Sequence, residues 1–103
     1  MDRKLQLLTM QLRFHQIRVA NKPLMKSELT HLLDYIDVHE TLPTTISPIT
    51  ATLIYDAAKS GQEQVTELIH PHGPDSFNDD PQLHEELDVY YNWKLYARQY
   101  MMK

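Results

Sequence analysis

Residues 5–19 read LQLLTMQLRFHQIRV, and their apolar side chains recur at the three- and four-residue steps of an α-helix. They form two stripes, and His15 fills one place in the first. The first stripe consists of Leu5, Leu8, Leu12 and Val19, and the second of Leu7, Met10, Phe14 and Ile17. Because a helix has about 3.6 residues per turn, the two stripes lie on nearly opposite sides of it.

A helix with two apolar sides is hard to enclose in a chain of 103 residues. We expect one stripe to face the core, and we interpret the second as a surface for self-association. The alternative is a central helix whose second side is covered by the C-terminal helix. The two interpretations differ in whether Phe14 is exposed or buried.

Prolines and capping residues divide the rest of the chain into further helices. Pro23 precedes a second helix from about residue 24 to 38, and Ser47 followed by Pro48 begins a third. Gly61 is typical of a helix end, and Ser60 with Glu63 matches a capping box for a short fourth helix over 62–69. A continuous third helix, bent at the glycine, is the alternative.

Residues 70–81 contain three prolines and a glycine, which indicates a linker. The last helix begins at Asp80 and Pro81, with acidic residues in its first turns and cations near its end. The sequence therefore predicts a single all-α domain over residues 1–103, a compact bundle of four to five helices with long first and last helices.

Aromatic residues are concentrated in the last helix. Five of the nine lie within residues 90–100, together with Lys94 and Arg98. Such a mixture can stack on single-stranded bases, but tyrosine is also common in protein interfaces. The acidic residues 79–88 would repel a phosphate backbone, so we favour protein contact. The predicted interface residues are Leu7, Met10, Phe14, Ile17, Tyr91, Leu95 and Tyr96.

Charge is distributed unevenly along the chain. Residues 1–26 hold six Lys and Arg against one Asp, a net +5, and residues 27–103 hold four against thirteen carboxylates, a net −9. The first helix is therefore expected to meet an acidic surface. The candidate acidic partners are the rest of its own chain, a second copy of the chain and nucleic acid.

No residue has a context that indicates catalysis, cofactor binding or metal binding. The chain has no cysteine, and its two isolated glycines form no phosphate-binding loop. His70 and His72 lie near several aspartates, but their spacing matches no metal motif. The carboxylates Glu85, Glu86 and Asp88 are explained more simply by the positive end of the helix dipole.

These features together predict a small, non-catalytic, cytoplasmic regulatory or adaptor protein that acts through helix-mediated protein contacts. We expect a homodimer, with another protein as a second kind of partner, and no membrane association. The alternative is a transcriptional regulator that binds nucleic acid through its basic first helix. Against a helix-turn-helix, the candidate recognition helix over 62–69 carries Glu63 and Glu67 and no cation.

Overall fold

The computed structural model of the chain describes residues 2–71 and 79–101, and these residues form four α-helices. They are α1 (Arg3–Arg18), α2 (Pro23–His39), α3 (Pro48–Ile69) and α4 (Pro81–Met101). The all-α class is confirmed, and the number of helices lies within the predicted range. The last helix is long, at 21 residues, and the first spans 16.

Helix ends follow the capping chemistry of the sequence. The Asp2 side chain accepts a hydrogen bond from the Leu5 amide at 3.0 Å, and the Ser47 hydroxyl accepts one from the Thr50 amide at 3.1 Å. Proline occupies the first position of α2 and α3, where its missing N–H costs nothing. At the end of α2, Glu40 adopts a left-handed φ of 55°.

The predicted helix end at Gly61 is wrong, because α3 runs without interruption from Pro48 to Ile69. Gly61 instead allows α4 to approach α3 closely, because it has no side chain at this position. The ring of Tyr90, from α4, lies directly over it, and a Cβ at this position would be 2.6–2.8 Å from three ring atoms. Residues 62–69, predicted as a short fourth helix, are therefore the second half of α3. The alternative prediction of one continuous third helix is correct in this respect.

In the described part of the chain, the core consists of two clusters along α3, which packs against all three other helices. In the larger cluster, the first stripe of α1 packs with side chains from α2 and α3, and its four apolar residues are at most 5% exposed. The smaller cluster lies where α3 and α4 meet, and its buried members are Val65, Ile69 and Tyr90. The predicted burial of the first stripe is confirmed.

Gly61→Ala tests the close approach of Tyr90. In an open helix this change stabilises by about 0.5–1 kcal/mol, but here the new methyl overlaps a buried ring, at a cost of about 1–3 kcal/mol. We expect the free energy of unfolding in urea to fall. In a Tyr90→Leu background the overlap is gone, and the same substitution should become neutral or stabilising. An identical effect in both backgrounds would show that the ring does not require the glycine.

Candidate protein-interaction surface

The side of α1 opposite its buried stripe is exposed. Met10, Phe14 and Ile17 are 42%, 49% and 78% exposed, and we refer to them as the α1 outer face. A shallow groove runs beside Met10 and Phe14, and Gln6, Thr9 and Arg13 complete its lining. Within the described residues, the chain thus leaves three of the four residues of the second stripe uncovered.

Leu7, the fourth residue of that stripe, is half-buried and packs against the cluster that contains Tyr90. It lies at the edge of α1 nearest to α4, whereas the other three residues point away from the bundle. The C-terminal helix α4 therefore covers the second stripe only at Leu7, the residue of the stripe nearest the N-terminus of α1.

Among the residues that the structure describes, two ion pairs connect α1 to its neighbours. Arg3 reaches Glu86 of α4 at 3.1 Å, and Arg13 reaches Asp37 of α2 at 2.8 Å. Both arginine side chains are about half exposed, so each pair contributes only about 0–1 kcal/mol to stability. Their main consequence is that the chain's own carboxylates neutralise part of the positive charge of α1.

Two apolar residues are exposed on α4. Tyr91 and Leu95 are 51% and 42% exposed, and because they are four residues apart they lie on the same side of the helix. We refer to them as the α4 outer face. It includes two of the three residues that the sequence predicted on this helix.

Tyr96, the third predicted residue, is half-buried and packs against the core. Its ring lies edge-on to Trp93, with 5.5 Å between the ring centroids, and 5.3 Å from the ring of Tyr100. Burial raises the pKa of the Tyr96 hydroxyl. Trp93 in turn donates its indole N–H to the Lys4 carbonyl oxygen at 2.9 Å, which joins α4 to the start of α1. Most of the aromatic cluster of α4 therefore packs against other residues of the same chain.

Gln11 is a buried residue whose role the sequence did not indicate. Its side-chain amide nitrogen donates to Gln64 Oε1 at 3.2 Å and to the Tyr90 hydroxyl at 3.4 Å. Burial raises the pKa of Tyr90. One glutamine therefore links α1 to both α3 and α4. The only sequence signal was its position at the edge of the buried stripe.

His15 occupies the place in the buried stripe that the sequence assigned to it. It is 7% exposed, and neither of its ring nitrogens has a hydrogen-bond partner within the described residues. Burial lowers its pKa below the ordinary 6.5, an effect that Asp56 opposes and that Arg18 and Lys22 reinforce. The imidazole is therefore held neutral at physiological pH.

The burial of His15 predicts a loss of stability in acid. As pH falls below about 6.5, the unfolded chain gains a proton that the folded chain resists, so the free energy of unfolding decreases. His15→Leu should reduce this loss between pH 7 and 5, measured by urea unfolding at each pH. His31→Leu, at an exposed position on α2, should retain it. Equal pH dependence in both variants would contradict the assignment to His15.

The described residues contain no group of three His, Cys, Asp or Glu side chains placed to hold a metal ion. His72, which lies near several aspartates in the sequence, is outside the described residues, and so is Asp75, one of those aspartates. Of the acidic residues on α4, Glu86 is paired with Arg3.

A second groove, between α2 and the start of α3, presents His31 and Tyr35 beside Glu28. The Glu28 carboxylate accepts a hydrogen bond from the Thr50 hydroxyl at 3.3 Å, and the Thr50 hydroxyl also accepts one from the Ser47 hydroxyl at 3.1 Å. These bonds connect α2 to the first turn of α3.

None of the helices in the described ranges combines the length and the apolar character that a membrane span requires. Comparison with known proteins gives no match: no family model fits the sequence, and no curated protein or solved structure is significantly similar to it.

Proposed function

We propose that this chain is a non-catalytic regulatory or adaptor protein that acts through helix-mediated protein contacts, as a homodimer. The observation that carries the proposal is the α1 outer face. A helix that covers a core on one side normally presents polar residues on the other, whereas α1 presents Met10, Phe14 and Ile17. Clustered apolar residues on a surface are typical of protein interaction sites.

Burial of this face would provide a substantial driving force for association. A large apolar side chain contributes about 1.5–3 kcal/mol when it passes from full exposure to full burial. The three side chains are already partly covered, so each contributes a fraction of that amount. The sum must also exceed the cost of lost translational and rotational freedom. The interface therefore needs further apolar surface besides these three side chains.

Phe14→Glu should convert the dimer to a monomer. The substitution places a charge at the centre of the α1 outer face, but Phe14 is half exposed in the single chain. Helicity should therefore change little, and the melting temperature should fall only by the stabilisation that the dimer provided. Light scattering after size exclusion gives the mass, and circular dichroism checks the fold.

Val38→Glu is the matched control, because Val38 is an exposed apolar residue of α2, at 75% exposure, and is not one of the three residues of the α1 outer face. This variant should remain dimeric. Retention of the dimer by Phe14→Glu, or its loss in both variants alike, would contradict the role of the α1 outer face.

Nucleic-acid binding by the basic helix is the alternative function. Two of the arginines that would contact phosphates, Arg3 and Arg13, are paired with carboxylates of their own chain, which supports protein contact instead. We expect no binding of duplex or single-stranded DNA in fluorescence titrations at low salt. Binding that weakens steeply between two salt concentrations would favour the nucleic-acid alternative.

A further inference from the structure

We propose, building on the self-association above, that the α1 outer face of one copy packs against the α4 outer face of the second copy. A two-fold axis then repeats this contact, so that each copy contributes both faces and the dimer is closed. The alternative dimers would pair α1 with α1, or α4 with α4.

Interface area is the first reason. The exposed parts of Met10, Phe14 and Ile17 amount to roughly 300 Å² if a large side chain carries about 200 Å². Tyr91 and Leu95 add roughly 200 Å² on the same basis. A stable interface buries about 800 Å² on each partner, of which somewhat more than half is apolar. The α1 outer face alone is too small for this, whereas the two faces together are sufficient.

Charge is the second reason. Residues 3–27 contain six Lys and Arg and no carboxylate, and Arg18 makes no ion pair within the described residues. Residues 79–88 of the α4 region contain five carboxylates and no Lys or Arg. Two copies of α1 face to face would bring cations together. Two copies of α4 can place Asp88 of one copy opposite Arg98 of the other, but their outer faces supply only roughly 200 Å² of apolar area on each partner. Packing of α1 against the start of α4 places opposite charges across the contact.

Side-chain positions define the direction of the two helices. Arg18 follows Phe14 by four residues, and Asp88 precedes Tyr91 by three, so each charge lies next to its apolar face. With Phe14 between Tyr91 and Leu95, an antiparallel arrangement brings Arg18 towards Asp88. It also places the negative end of the α1 dipole near the positive end of α4, which is favourable.

The decisive experiment mixes two variants that each lack one face. Phe14→Glu removes the α1 outer face, and Tyr91→Lys removes the α4 outer face. Alone, each variant damages both contacts of its homodimer, and we expect dissociation constants about 100-fold higher than that of the unchanged chain. In an equimolar mixture, one contact joins two unchanged faces and the other joins the two introduced, opposite charges. The mixed dimer should therefore form, within about tenfold of the unchanged affinity.

Native mass spectrometry distinguishes the mixed dimer from the two homodimers, and sedimentation velocity measures its affinity. Val38→Glu and Val38→Lys are the matched controls and should dimerise like the unchanged chain; circular dichroism confirms that every variant is folded. If Tyr91→Lys dimerises normally, or if the mixture stays monomeric, the α1–α4 contact is wrong although self-association stands. If the unchanged chain is itself a monomer, the proposed function fails with it.

Discussion

The contact between Tyr90 and Gly61 determines how closely α3 and α4 approach, and the position of α1 depends on it. The ring lies where a Cβ would otherwise be, and its hydroxyl accepts a hydrogen bond from Gln11 of α1. Leu7 packs against the same cluster. The α3–α4 pair thus supports α1, and Leu7 and Gln11, which are four residues apart, contact it from the same side of that helix.

Because α1 is fixed in rotation, its second stripe cannot turn inward. Gln11 is bonded to α3 and α4, the Lys4 carbonyl receives the indole N–H of Trp93, and the first stripe is buried almost completely. Rotation of the helix to hide Phe14 would break these bonds and expose leucines, at a cost of several kcal/mol. The exposure of the α1 outer face is therefore a consequence of a well-determined core.

Features that depend on local sequence could be predicted. The helix starts at Pro48 and Pro81, the one-sided second helix and the two stripes of α1 follow from proline geometry and helical periodicity. Gly61 could not be interpreted correctly, because a glycine at a helix end and a glycine beneath a ring look the same in one sequence. Its role depends on Tyr90, which is 29 residues away. Likewise, tertiary contacts with α1 and α3 set the rotation of α4 about its own axis. That rotation leaves Tyr91 exposed and directs Tyr96 towards the core. The burial of Leu7 has the same origin.

The central claim is that the α1 outer face is covered by a second copy of the chain in solution. Sedimentation equilibrium of the unchanged protein over a wide range of concentrations tests it most directly. One chain has a mass of 12.2 kDa. The account predicts that the weight-average mass rises with concentration and levels off at twice this value. A mass that stays at that of a single chain up to the highest soluble concentration would contradict it.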